Sequence, residues 1–413
     1  MSLVVRSTRF LSGERYRLLV DADSGMPLYY PNLFVTTQER NHSQSVAAME
    51  KALNAIKHLL SYCSETALEL RVREKRFFTT TELDAIRDHC QRFSDVGQRP
   101  GTLRSRGVLT LPRGAEARVG KAYQYSRLSI IASYFEWLVE TIHRPGLTPE
   151  LQSETERVTK GLRRRRPRYR NRSQVDGEDK ALSEEAEQLL HAVIEPEHPS
   201  NPFTDPAVAE RNYLIVKLVA SLGLRAGELL GIRISDVDFQ NFTVKIHRRA
   251  DDREDSRLKE PNAKTLGRTL PVSRGLIQRV AQYVTDLRSA VPNAAYNEFL
   301  FISHKGGPTQ GNPIAQETLR KIFDRISSVD PALSGLHPHA LRHTWNSDFS
   351  KKIDEMGSDD RPSEAEEEQL RNQLMGWKQG SGSAAIYNKR HINRKAAAAS
   401  LALQEKMDEK RKQ

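Results

Sequence analysis

The run RVTKGLRRRRPRYRNR, Arg157 to Arg172, most restricts the architecture open to this chain. Its like charges repel one another unless a polyanion neutralises them, and Pro167 opposes continuation of a helix through it. Residues 157–178 are therefore the candidate for a basic linker between two bodies. The length of 413 residues favours two domains independently. A charge run of this kind is usually a solvated stretch. Arg163, Arg164, Arg165 and Arg166 become phosphate-binding candidates only if both flanking bodies also meet a nucleic acid.

Before the linker, residues 1–40 read as a partly extended lead-in, with YRLLV and LFVTT as short strands around the turn-forming DADSGMP. Residues 41–156 read as a small helical domain. Val46, Met49, Leu53, Ile56, Leu59 and Leu60 recur at three- and four-residue spacing, which gives one helix a buried face. A second helix is expected in TTTELDAIRDHC, with Thr81 as its cap. A Gly-, Pro- and Arg-rich loop follows from Gly97 to Gly120. Then YSRLSIIASYFEWLVETI supplies a strongly amphipathic helix.

After the linker, residues 179–395 form the second domain, opened by LSEEAEQLLHAV with Ser183 as N-cap. NYLIVKLVASLGL is helical, and FTVKIHRRA and GRTLPVS are short β-like runs separated by a polar stretch. LIQRVAQYVTDLRSAV and PIAQETLRKIFDRISSV are helical, with EFLFIS as a small strand between them. The acidic segment from Lys351 to Gln373 is expected to be a solvated helix, with a protein contact as the alternative, and residues 396–413 a C-terminal helix. The fold class is therefore mainly α with a small β-sheet, in two domains.

Composition narrows the partners. Lys and Arg number 64 against 53 Asp and Glu, a formal net charge of +11, which favours a polyanionic partner without choosing between nucleic acid and membrane. With Cys63 and Cys90 alone, neither a disulfide framework nor a cysteine-based zinc site can be built within one chain. No uninterrupted apolar run approaches a membrane span, and the opening MSLVVRSTRFLSGERYR breaks into charge too early for a secretory signal. A cytoplasmic protein in a reducing compartment is expected.

Three segments concentrate chemistry. In LHPHALRHTW, His339 and Arg342 are three apart and share one face if a helix starts at Pro338, where they could grip one anion. In LGLRAGELLGIRISDV, Arg225 sits at a helix junction and Glu228, one turn later, could steady it by an ion pair. In LMGWKQGSGSAAIYNKRH, Tyr387 follows a Gly/Ser-rich turn and is flanked by Lys389, Arg390 and His391. Taken singly, each is more often a solvated or packing residue.

Together, the arrangement R…K…HxxR…W…Y resembles the tyrosine recombinase (phage integrase) family. LGLRAGELLGIRISDVD is similar to that family's first arginine box, PHALRHTW to its second, and LMGW followed by IY to its last. The resemblance implies a two-domain DNA clamp, with residues 41–156 as the helical core-binding domain and 179–395 as the catalytic domain. It implies that Arg225 and Arg342 bind the scissile phosphate, that His339 assists, and that Tyr387 is the nucleophile. Trp377 stands where many members have histidine, and an indole donates a hydrogen bond but relays no proton. Lys264, in AKTLGRTLPV, is the lysine of the family's β-hairpin, with Lys259 in RLKEP as runner-up. The implied partners are double-stranded DNA, further copies in a homotetramer on two DNA sites with residues 396–413 docking on a neighbour, and an accessory protein or partner recombinase. No cofactor or membrane is implied, and the bound protein would lie on a bacterial nucleoid.

The chemistry is consistent with those residue types. Attack on a phosphodiester builds charge on the non-bridging oxygens, and two arginines can each present paired N–H donors to them. A phenol with an ordinary pKa near ~10 attacks readily when cations favour phenolate. The rivals are a type IB topoisomerase, a non-catalytic DNA-binding protein, and a zinc site on His337, His339 and His343, which lacks a clear acidic or cysteine partner nearby.

Overall fold

The computed structural model describes residues 2–41, 45–92, 118–168, 181–261, 265–357, 360–380, 399–401 and 404. The chain divides into two compact units, Met1–Gly177 and Glu178–Gln413.

The first unit opens with an antiparallel hairpin of β1 (Leu3–Arg9) and β2 (Arg15–Asp21). α1 (Tyr29–Phe34) and a π-helical turn (Val35–Arg40) follow, so LFVTT is helical and not the strand its β-branched residues suggest. Pro31 is tolerated in the first turn of α1. Thr36 and Thr37 donate their hydroxyls back to the Asn32 and Leu33 carbonyls, at 2.7 and 2.9 Å, which suits them to a helix. The Asn32 amide pairs with both backbone groups of Leu19, at 2.8 and 2.9 Å, and takes the place a third strand would have filled.

α2 (Val46–Tyr62) buries the apolar face expected of it, with Met49, Leu53 and Ile56 fully enclosed. α3 (Glu65–Arg73) and α4 (Thr80–His89) come next. The cap of α4 is Thr79, not Thr81: Glu82 lies three residues after Thr79, and the two form a reciprocal capping box. The expected loop at 97–120 lies mostly outside the described residues. α5 (Lys121–His143) packs Leu128, Ile131, Phe135 and Leu138 into the same core.

α6 (Pro149–Arg164) corrects the linker boundary, because it carries helix well into residues 157–178. Leu151, Thr155, Val158 and Leu162 form a buried stripe at helical spacing, while Arg157, Lys160, Arg163 and Arg165 lie on other faces and meet carboxylates. Arg163 pairs with Glu136 at 2.8 Å, and Arg165 pairs with Asp84 through two bonds of 2.8 and 3.1 Å. The like-charge repulsion is relieved by carboxylates of the unit itself, and the helix stops before Pro167. The remainder of the expected linker, 169–178, lies outside the described residues.

In the second unit, Ser183 caps α7 (Glu184–Val193) as expected, and Asp205 caps α8 (Pro206–Leu222). Gly223 ends α8 in the left-handed region at φ 59°; a Cβ there would also sit 2.8 Å from Met375 Cε. A short α9 (Ala226–Leu230) leads to a three-stranded antiparallel sheet of β3 (Val237–Asp238), β4 (Thr243–Ile246) and β5 (Arg268–Pro271), in that order. α10 (Arg274–Gln282) and α11 (Gln316–Ser327) cover the core.

EFLFIS is not a ladder strand. Phe299 and Ile302 form isolated bridges with Arg233 and Pro313, and Pro313 has no N–H to extend the pairing.

α12 (Pro338–Glu355) starts where expected. α13 (Glu364–Met375) overturns the solvated-helix expectation for the acidic segment, since Glu367 and Arg371 form a completely buried ion pair. Among the described residues no helix is long and apolar enough to cross a membrane.

Candidate active site

The site is built around Glu228. Gly223 turns the chain at the end of α8, Leu224 anchors in the core, and Arg225 becomes the residue preceding α9. Three residues on, the Glu228 carboxylate accepts the Arg225 backbone N–H at 3.0 Å. Its side chain is fully buried, and three guanidiniums converge on it. Arg268 lies at 2.9 Å, Arg225 at 3.5 Å and Arg342 at 3.9 Å. The Thr265 hydroxyl also donates to it. Burial alone would raise the Glu228 pKa; the hydrogen bond and charge of Arg268, helped by Thr265 and the Arg225 amide, outweigh burial and hold it below the ordinary carboxylate value.

The arginines differ in exposure. Arg342, on α12, has 1 % of its side chain exposed and donates Nη1 to the Gly223 carbonyl at 2.6 Å and Nη2 to the Met375 carbonyl at 3.1 Å. Its guanidinium lies 5.3 Å from the centre of the Trp377 ring, a cation–π contact. Arg225 keeps 31 % of its side chain exposed. The first is thus a buried cation bridging α8 and the end of α13, and the second is the accessible one.

The histidines separate into different roles. His337 is the N-cap of α12, with Nδ1 accepting the Ala340 N–H at 3.1 Å. His339 is exposed one turn before Arg342 on the same helix, with its ring 4.5 Å from that of His343, edge to face. Among the described residues no group of three or more His, Cys, Asp or Glu side chains is arranged to hold a metal.

The structure therefore brings Arg225 and Arg342 together around Glu228, with Trp377 against the Arg342 guanidinium and His339 on the helix that carries Arg342. Lys264 and Tyr387 lie outside the described residues, while Lys259 is exposed in the loop before β5. Arg163 to Arg166 belong to the first unit, where Arg166 stacks on Tyr125 at 4.6 Å. Sequence reasoning missed Arg268. The available signal was its position two residues before Leu270 on β5, which puts a charge on the buried face and calls for a buried counter-charge.

Residues 181–358 match the phage integrase family. The type 1 fimbriae regulatory protein FimB of Escherichia coli K12 is 31 % identical over 140 residues, covering 33 % of this chain and 58 % of FimB. Tyrosine recombinase XerC of Bifidobacterium longum DJO10A is 31 % identical over 138 residues, covering 33 % of this chain and 35 % of that protein. The chain thus spans between about a third and three fifths of the length of these relatives. Among solved structures, XerH bound to a palindromic difH substrate aligns over 90 % of this chain and 93 % of its own, at 15 % identity and a TM-score of 0.43.

Proposed function

We propose that the chain, whose residues 181–358 match the phage integrase family, is a site-specific tyrosine recombinase that cuts and rejoins double-stranded DNA through a 3′-phosphotyrosyl intermediate, without metal or ATP. The observation that carries this reading is the convergence of Arg225, Arg268 and Arg342 on the single buried carboxylate of Glu228. More guanidinium charge than carboxylate charge is held there, and the excess favours an anion at the exposed edge.

Arg225, the accessible guanidinium, presents N–H donors to the non-bridging oxygens of the scissile phosphate. Arg342 contributes fixed charge from beneath and holds the end of α13 in place. His339, exposed on α12, supplies a further hydrogen bond to the same phosphate. The Tyr387 phenolate attacks phosphorus, the bond to the 5′ oxygen breaks, and the ammonium of Lys264 delivers the proton that oxygen requires. One phosphoester bond replaces another, so the bond is conserved for religation.

The test is a nicked suicide duplex carrying the crossover sequence recovered by sequencing recombination joints in cells. Wild-type protein is expected to give an SDS-resistant, protease-sensitive DNA adduct, in excess EDTA as well as without it, and Tyr387→Phe to give none while binding the duplex normally. An adduct with Tyr387→Phe moves the nucleophile elsewhere. Activity lost in EDTA and restored by zinc or magnesium revives the histidine-metal reading.

A further inference from the structure

We propose that Arg268 is a positioning residue, a strut that fixes the β4–β5 hairpin limb, Glu228 and the end of α13 in one geometry; this rests on the recombinase function proposed above. Its side chain is 5 % exposed, too enclosed to take a phosphate itself. Nη2 and Nη1 reach the two carboxylate oxygens of Glu228 at 2.9 and 3.3 Å, and Nε donates to the Leu374 carbonyl at 2.6 Å. One planar group thus ties a strand residue to α9 and to the last turn of α13.

The turn it grips is the one that leads into Trp377. A helix end leaves its last carbonyls without intrahelical donors, and here three consecutive ones are taken by the site. Leu374 accepts from Arg268 at 2.6 Å, Met375 from Arg342 at 3.1 Å, and Gly376 from the Leu266 N–H at 2.9 Å. The approach is close. A Cβ on Gly376, whose φ is +64°, would lie 2.7 Å from Arg268 Nη1 and 2.9 Å from the Leu266 carbonyl. Glycine is required there by backbone conformation and by contact with this strut.

The strut also decides how Glu228 is balanced. With Arg268 in place, the nearest full counter-charge of the carboxylate comes from a buried neighbour, and Arg225 stands at 3.5 Å with part of its surface open. Without it, Glu228 draws Arg225 inward and away from a phosphate and pulls Arg342 off its two carbonyls. Lysine can restore the charge but not the contacts, since an ammonium lacks the planar fork needed to meet a carboxylate and a carbonyl together. Arg268→Lys is therefore expected to misplace the two arginines while leaving the site cationic.

The experiment compares single-turnover cleavage of the suicide duplex with affinity for the same duplex by fluorescence anisotropy, for Arg268→Lys, Arg268→Gln and Gly376→Ala, with thermal melting as the folding control. Each folded variant is expected to bind within about twofold of wild type yet cleave slower by on the order of 10- to 100-fold. Arg268→Lys cleaving at the wild-type rate overturns the strut and leaves charge alone. Affinity and cleavage falling in parallel overturn it in favour of DNA contact or general folding. If Arg268→Gln or Gly376→Ala does not fold, Arg268→Lys decides. Wild-type protein that forms no adduct at all refutes the recombinase reading and this one with it; a normal wild-type adduct with a normal Arg268→Lys refutes only this one.

Discussion

Replacing Arg371 by alanine tests whether the acidic segment after α12 belongs to the core of the second unit. Arg371 and Glu367 have no exposed side-chain surface and meet at 2.5 Å, and Arg371 also reaches the Asn346 carbonyl at 3.0 Å, Asn346 Oδ1 at 3.1 Å and Ser350 Oγ at 2.9 Å. Asn346 in turn donates to the Arg342 carbonyl at 2.8 Å, so the pair clamps α13 onto the helix that carries Arg342. Arg371→Ala leaves a buried carboxylate without its guanidinium, which costs about 3–5 kcal/mol. For a unit of this size that corresponds to a fall in Tm of about 6–20 °C.

Urea unfolding followed by tryptophan fluorescence reads the loss directly. A Trp137→Phe background confines the signal to Trp345 and Trp377, the tryptophans of the second unit. Pairing Arg371→Met with Glu367→Leu is expected to recover at least half of the loss, because no charge is then stranded. A loss below about 1 kcal/mol for Arg371→Ala at pH 7.5 would mean that the segment is solvated after all.

Three further outcomes are expected. His58 is pushed down to about 4, by burial first and by Arg127 3.4 Å away, so its neutral form stabilises the first unit fully above the unfolded value near ~6.5 and progressively less as pH falls from there to about 4. His58→Gln should remove up to ~3 kcal/mol of that acid sensitivity, read as urea midpoints by Trp137 fluorescence at pH 7 and 4.5; an unchanged pH slope would refute the assignment. Alanine at Arg163 to Arg166 should flatten the salt dependence of DNA binding by less than the ~0.9 per contact that four phosphate contacts would give, since Arg163 and Arg165 already hold Glu136 and Asp84; no change in slope would return the run to a solvated role. Truncation after Lys395 should leave single-site binding intact but reduce synapsis and strand exchange, because Leu401 is 58 % exposed and an open groove of about 360 Å³ lined by Leu190, Leu341, Trp345 and Phe349 offers a neighbouring copy a place to bury it. Full tetramers on DNA with the truncated protein would refute that docking.

The parts of the fold legible in the sequence are those set by local periodicity and capping. Met49, Leu53 and Ile56 face the core because their spacing leaves a helix no other face to bury, and Ser183 starts α7 because its hydroxyl meets the Ala186 amide. The misread parts depend on distant partners. LFVTT has strand-forming residues, but Asn32 occupies the edge of β2 that a strand would need. The basic run looks like a linker until Glu136 and Asp84, far away in sequence, are seen to pair with Arg163 and Arg165. The acidic segment looks solvated for the same reason, because nothing local reveals that Asn346 and Ser350 wait for Arg371.

The site divides along the same line. Residue types at motif spacing single out Arg225, His339, Arg342 and Trp377 as candidates, and the structure sets Arg225 and Arg342 at Glu228, Trp377 against Arg342 and His339 on α12. What spacing cannot specify is the division of labour between two chemically identical groups. Arg342 is enclosed because Gly223 lets the chain turn tightly enough to aim a carbonyl at it, and because the end of α13 supplies a second carbonyl from Met375. Arg225 is accessible because it precedes a helix whose own Glu228 takes its backbone amide, which leaves its guanidinium at the rim. A buried guanidinium that already satisfies two carbonyls gains little from a ligand and serves as fixed charge, while one at the rim can exchange water for phosphate. Substituting Arg225 should therefore weaken phosphate capture, whereas substituting Arg342 should also loosen α8, α12 and α13 from one another.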